Sequence, residues 1–233
     1  MRDRALILAG GRGRRLAPYT AVLPKPLMPL SNNMSVIEHV LQGVARSGIS
    51  DVTISLGYMA HLIEAVLDRS GPNDLDITYT YEDEPLGTAG PLTLMTDVQE
   101  SDRVLVVNGD TYTDLNYRNV VEALDTSHQA VVTCVQRTVE TNYGVVYPNE
   151  AGDLDAYEEK PVIPFLVSTG IYALHGSAIR NLGPSCYLDM PDLLRTLATQ
   201  AQGVRVLTVE CLWRDLGRAE DFAEIFELLE EDG

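Results

Sequence analysis

Arg4-Ala5-Leu6-Ile7-Leu8-Ala9-Gly10-Gly11-Arg12-Gly13-Arg14-Arg15-Leu16 passes without a break from an apolar run into a loop of glycines and arginines. A short apolar run bounded by glycines reads as a buried strand, Arg4–Leu8. Glycines at a strand's end let backbone N–H groups approach an anion closely. Arginines add charge and forked donors that match phosphate oxygens. The spacing is neither GxGxxG nor a Walker A loop. No Gly-Lys-Ser/Thr closes it, and no acidic residue stands where a dinucleotide ribose needs one. A Rossmann-type oxidoreductase is disfavoured on that ground. Taken alone, the turn reads equally well as a flexible surface loop.

Outward from this stretch, Asp51–Leu56, Ile77–Tyr81, Arg103–Val107 and Ala130–Val135 have the same short, β-branched character. Amphipathic segments near 35–47, 59–69, 89–97 and 117–126 lie between them. The first has a defined start and stop: Ser35 and Glu38 form a capping-box pattern, and Gly48 can end the helix. Val36, Ile37, Val40, Leu41 and Val44 make its core stripe. Such alternation predicts a three-layer α/β/α, Rossmann-like fold with a mostly parallel mixed sheet. After about residue 140, Tyr143–Tyr147, Leu154–Glu158 and Val167–Ala173 read as strands without helices between them. A helix near 190–200, a strand at Val204–Val209 and a helix from about Ala219 close the chain. One domain over residues 1–233 is expected, its halves meeting near residue 135.

A chain of 233 residues buries roughly 70% of its unfolded surface. Cys134, Cys186 and Cys211 form no CxxC pair, so neither zinc nor a disulfide framework is indicated, and a reducing cytoplasm is expected. The net charge of −17 disfavours nucleic acid and anionic membrane as partners. Against that charge, six of the seventeen basic residues, Arg2, Arg4, Arg12, Arg14, Arg15 and Lys25, cluster near the start. The ligand expected there is a small, highly charged anion. Neither a signal peptide nor a transmembrane stretch is read from the sequence.

Leu23-Pro24-Lys25-Pro26-Leu27 restricts the backbone on both sides of one lysine, which suits an ammonium that must be aimed. The two loops together resemble the signature of the sugar-1-phosphate nucleotidyltransferase family. Further segments match in family order: Glu84-Pro85-Leu86-Gly87-Thr88-Ala89-Gly90-Pro91-Leu92, Asn108-Gly109-Asp110, Tyr143-Gly144-Val145-Val146, Glu159-Lys160-Pro161, Thr169-Gly170-Ile171-Tyr172 and Trp213-Arg214-Asp215-Leu216-Gly217. The likeness runs from residue 4 to about 226 and is nearest in motifs to mannose-1-phosphate guanylyltransferase-like enzymes.

The resemblance implies a nucleotide-binding half, about 1–135, and a sugar-binding half, about 136–233, with no C-terminal β-helix. Leu8, Ala9, Gly10, Gly11, Gly13, Gly87, Thr88 and Gly109 would hold the nucleotide. Arg15 would meet the departing pyrophosphate, Lys25 would neutralise phosphate charge, and Asp110 would act with them. Asp110 and Asp215 would hold Mg²⁺, whose hard character suits carboxylates and phosphates. Gly144, Glu159, Lys160, Ser168 and Thr169 would meet the sugar, with Gly144 and Gly170 leaving bare backbone for it. The substrates implied are a nucleoside triphosphate, GTP first, and a hexose- or heptose-1-phosphate. UTP, dTTP and CTP stay open, as do a homodimer and a non-catalytic regulatory homologue.

Each residue also has a plainer reading. Asp110 could cap a turn, Asp215 could pair with Arg214 or Arg218, and Glu159-Lys160 could be an exposed pair. Glu82 or Glu84 could read guanine, although such an acidic run is more often solvated. Two positions depart from the family pattern. Arg14 stands where Thr or Ser is usual, and Ser168 where the mannose-type enzymes carry Asn.

Overall fold

The structure, a computed structural model, describes residues 1–31, 33–183 and 187–231. Cys186 lies outside the described residues. Strand β1 (Asp3–Ala9) leads through 3-10 turns at Arg14–Leu16, Tyr19–Ala21 and Lys25–Leu27 into the ribbon β2 (Pro29–Ser31) and β3 (Met34–Ser35). Then come α1 (Val36–Arg46), β4 (Asp51–Leu56), α2 (Ala60–Ser70) and β5 (Asp76–Tyr81). After a 3-10 turn at Gly90–Leu94 follow β6 (Arg103–Asn108), β7 (Thr111–Thr113), α3 (Tyr117–Glu122) and β8 (Ala130–Glu140). The ribbon β9 (Gly144–Pro148) and β10 (Leu154–Glu159) precedes the long β11 (Val162–His175) and the short α4 (Gly176–Arg180). Helix α5 (Met190–Ala198), β12 (Val204–Thr208), β13 (Trp213–Asp215) and α6 (Ala219–Glu231) follow.

Seven strands form the central sheet in the order β12-β8-β11-β6-β1-β4-β5. Pairing is parallel except around β11, which runs antiparallel to both β6 and β8. Both halves of the chain therefore share one sheet. Side chains alternate across a strand, and β1 shows the consequence. Ala5, Ile7 and Ala9 enter the core beneath α1, α2 and α3, while Leu6 enters the opposite core with Met190, Leu193 and Leu197 of α5. The expected three layers follow from that alternation. Each fully buried aliphatic side chain contributes about 1.5–3 kcal/mol.

Local signals account for α1. The Ser35 backbone N–H donates to Glu38 Oε2 at 2.8 Å, completing the capping box, and Gly48 takes φ 75 just past the helix. The segment expected as a helix at 89–97 is instead the short 3-10 turn Gly90–Leu94. A Gly-Pro start and fixed docking on Leu188 explain the difference, since Ala89 and Gly90 both donate to the Leu188 carbonyl. Arg4 also departs from expectation. It is buried at the far end of β1 and pairs with Asp51 at 2.8 Å and Asp97 at 2.9 Å, so it does not serve an anion at the loop.

His39 is partly buried in α1, stacked on Tyr112 with 4.6 Å between centroids, its Nε2 2.9 Å from the Thr113 carbonyl oxygen. Burial pushes its pKa below the ordinary 6.5, against the opposing pull of the Thr113 acceptor, and Arg46 adds to the lowering. The folded chain then holds fewer protons than the unfolded one between the two values. His39's contribution to stability is complete above about pH 6.5 and is lost as pH falls through the depressed folded value. Thermal melts should show stability declining from about pH 7 to pH 5, with a flatter decline in His39→Gln. An equal slope in both proteins would remove His39 from this effect.

Candidate nucleotide and catalytic site

The glycine loop leaves β1 at its carboxyl end, where ligands of parallel sheets bind. Gly10 lies against Glu82: a Cβ there would stand 2.5 Å from Glu82 Oε1. Gly13 takes φ 59 to start the turn Arg14–Leu16, and a Cβ there would stand 3.1 Å from Lys25 Cβ. The left-handed backbone and the close lysine both select glycine. Thr20 Oγ1 donates to the Gly13 carbonyl at 3.1 Å and fixes the turn. The loop thus runs from Glu82 at one end to Lys25 at the other.

Pro24 and Pro26 hold Lys25 in its own 3-10 turn, and only 6% of the residue is exposed. Its ammonium donates to Asp110 Oδ2, and Asp215 Oδ1 lies 3.9 Å away. Arg15 reaches Asp215 Oδ2 at 3.6 Å. Asp110 stands in the turn between β6 and β7. Asp215 arrives through a strand pairing that sets Trp213 against Thr113 and Asp215 against Thr111. Two aspartates about a hundred residues apart therefore meet on one ammonium. Neither alternative partner pairs with Asp215: Arg214 Nε is 3.5 Å from Glu224, and no ion pair joins Arg218 to Asp215 among the described residues.

Arg15, Lys25 and Asp110 border a cavity of about 840 Å³, and Asp215 stands just behind them, in contact with Lys25 and Arg15. Its wall takes in all of the nucleotide set, Leu8, Ala9, Gly10, Gly11, Gly13, Gly87, Thr88 and Gly109, together with Arg15, Lys25 and Asp110. Glu82 lines it as well and is not a solvated loop residue. Its carboxylate accepts from Ser55 Oγ at 2.8 Å and from the Leu86 backbone N–H at 2.9 Å. Glu84 is exposed and lies outside the wall.

Asp189, which is not among the site residues expected from the sequence, clamps the facing loop. Its Oδ1 accepts from the Thr88 backbone N–H at 3.3 Å, while Thr88 Oγ1 accepts from Met190 N–H at 2.7 Å. Gly87 sits beneath at φ 77, where a Cβ would lie 2.6 Å from the Leu188 carbonyl. Gly87→Ala should therefore cost about 2 kcal/mol, a melting temperature lower by roughly 4–8 °C. A thermal melt superposable on the wild type would show that the loop lacks this constraint.

A family model described as nucleotidyl transferase matches residues 4–232. The chain belongs to the nucleotidyl transferase family. A mannose-1-phosphate guanyltransferase of Schizosaccharomyces pombe is 32% identical over 228 residues, covering 94% of this chain and 62% of its own length. One from Candida albicans is 31% identical with the same coverage. The chain thus spans 62% of the length of these curated relatives. A Bacillus anthracis protein described as a glucose-1-phosphate thymidylyltransferase, solved with a sucrose, superposes with TM-score 0.76 at 25% identity, over 97% of this chain and 94% of that one. HddC from Yersinia pseudotuberculosis shares the fold, with TM-score 0.73 at 23% identity over 98% of this chain and 100% of its own.

In this member of the nucleotidyl transferase family the two aspartates supply hard oxygen donors that already face a positive charge. Such a pair fits a magnesium-type ion, which takes one or two carboxylates plus phosphate oxygens. Among the described residues no group of three or more His, Cys, Asp or Glu side chains gathers to hold a metal.

The sugar set stands apart from the cavity wall. Gly144 pairs with Glu159 across the β9–β10 ribbon, and the Tyr157 hydroxyl donates to Glu159 Oε2 at 3.1 Å. A Cβ at Gly144 would run into that hydroxyl, so the space beside this glycine is taken. Lys160 follows the last residue of β10 in a left-handed conformation at φ 51, just before Pro161, so the strand end needed for adjacent residues to share a face is present. Ser168 Oγ lies 3.1 Å from the Tyr172 hydroxyl. Thr169 is buried and its hydroxyl donates to the Thr133 carbonyl at 3.0 Å. Its own carbonyl accepts from Trp213 Nε1 at 2.8 Å. A Cβ at Gly170 would meet Asn108, which does line the cavity. Through Gly170 against Asn108, and Trp213 paired with Thr113, the chain's second half touches its first.

Proposed function

We propose that this chain joins a nucleoside triphosphate to a sugar-1-phosphate, releasing pyrophosphate and a nucleotide sugar. The observation that carries the reading is the meeting of Asp110, Asp215 and Arg15 around Lys25 at the end of a glycine loop. A phosphate oxygen of the sugar phosphate attacks the α-phosphorus in line. The bond from that phosphorus to the β-phosphate oxygen breaks, and the electron pair leaves with pyrophosphate. Backbone N–H groups of the glycine loop hold the phosphates. Lys25 offsets the charge that builds on them, and Arg15 receives the leaving group. Such transfers need position and charge compensation more than covalent help. Mg²⁺, held by Asp110 and Asp215, would supply further charge neutralisation.

GTP is the favoured nucleotide. Guanine presents adjacent donors, and a carboxylate has about four lone-pair sites, of which Glu82 uses two. The guanyltransferase relatives support the same choice, and a hexose- or heptose-1-phosphate is the favoured partner substrate. No helix among the described residues is long and apolar enough to cross a membrane. Cys134 and Cys211 are free thiols, which supports a reducing cytoplasm. Pyrophosphate release should be measured across a grid of GTP, UTP, dTTP and CTP against sugar-1-phosphates with Mg²⁺. Turnover highest with GTP is expected. Preference for another triphosphate overturns the base assignment, and no turnover with any pair favours a regulatory homologue.

A further inference from the structure

We propose that Arg14 grips the terminal phosphates of the triphosphate, and the pyrophosphate that leaves, as a recognition residue separate from Lys25 and Arg15. This rests on the transfer reading above. Four cationic side chains line the cavity: Arg12, Arg14, Arg15 and Lys25. Three of them are engaged. Lys25 meets Asp110 and Asp215, and Arg15 meets Asp215. The Arg12 guanidinium carbon lies 5.6 Å from the Tyr58 ring centroid. The Arg14 guanidinium alone of the four has no hydrogen bond, ion pair or ring partner among the described residues. On a chain of net charge −17, an unmatched guanidinium carried by a residue of the cavity wall is available to meet an anion from solution.

The loop's direction says which part of the anion. Gly10 packs on Glu82 and Gly13 packs on Lys25, so successive residues run from the base side towards the ammonium and its aspartates. Arg14 comes one residue beyond Gly13 and is exposed. With the base near Glu82 and Thr88 and the α-phosphorus beside Lys25, the β- and γ-phosphates extend towards Arg14. A hydroxyl at this position, as in the family pattern, could make one neutral hydrogen bond. A guanidinium offers a fork of donors and a full charge. This transferase would then hold pyrophosphate tightly while a monophosphate, lacking those groups, gains nothing from Arg14.

The test is calorimetric titration of the whole chain with magnesium pyrophosphate and, separately, with GMP. Arg14→Thr should weaken pyrophosphate binding about tenfold or more, leave GMP binding within about twofold, and keep the wild-type melting temperature. Arg14→Lys, which keeps charge but not the fork, should fall between. Pyrophosphate binding unchanged in Arg14→Thr, both ligands weakened alike, or no pyrophosphate binding by the wild type would each overturn the proposal. Turnover in the grid above separates this from the underlying reading. A wild type that releases no pyrophosphate refutes nucleotidyl transfer, while the calorimetric contrast still decides on Arg14.

Discussion

Lys25→Ala should lower turnover about a thousandfold while the protein stays folded, equivalent to about 4 kcal/mol of transition-state stabilisation. The size follows from where the ammonium sits. Its side chain is 7% exposed, so little water screens it, and its field acts at short range. It is the buried member of a cluster whose aspartates are 32% and 49% exposed. Those carboxylates can be hydrated once the lysine is gone, so the loss of stability should be modest beside the loss of rate. The measurement is steady-state pyrophosphate release set against a thermal melt of the same preparation. Unchanged turnover would remove Lys25 from the mechanism. Unfolding with no active fraction would recast it as a structural ion, and Lys25→Met, which keeps the aliphatic stem, would check that outcome.

Asp110→Asn should cost at least as much and should in addition move the magnesium dependence. The amide keeps the carboxylate's shape but not its charge, so Lys25 is left with Asp215 alone at 3.9 Å. On the proposed reading, a hard cation would also lose one of its two protein carboxylates. Turnover should fall about a thousandfold at saturating magnesium, and the half-saturating magnesium concentration should rise. Asp215→Asn should act similarly, and the double variant should lose far less than the product of the two, because groups acting as a unit are not additive. Losses that multiply would mean the aspartates work independently. Full activity in Asp110→Asn, with a lowered melting temperature, would mean the carboxylate only pairs with Lys25.

What the sequence disclosed of this arrangement was mostly local. The capping box of Ser35 and Glu38 and the apolar run of β1 lie within a few residues, so α1 and β1 could be read directly. The glycine loop and Pro24-Lys25-Pro26 were legible for the same reason. Strand β11 runs Val162–His175, longer than the Val167–Ala173 expected from its residues, because pairing with β8 carries it from Val162 through Pro164. The three-residue pairing of β7 with β13 has no period to detect, yet it delivers Asp215 to Asp110. That meeting was expected from family resemblance alone. The acidic run offered Glu82 and Glu84 alike as readers of the base, and only the contact with Ser55 separates them; Asp189 works through Thr88, 101 residues away, so its own neighbourhood did not place it at the site. Arg4 shows the converse. Proximity in sequence to Arg12–Arg15 suggested a shared anion, but a seven-residue strand carries the two ends to opposite edges of the sheet.

The most direct test is a crystal structure of the chain with magnesium and a non-hydrolysable GTP analogue. The triphosphate should lie along Gly10–Arg15, with Lys25 on the α-phosphate and the ion bound by Asp110 and Asp215. A triphosphate bound outside this cavity, or an ion held by neither aspartate, would contradict the account.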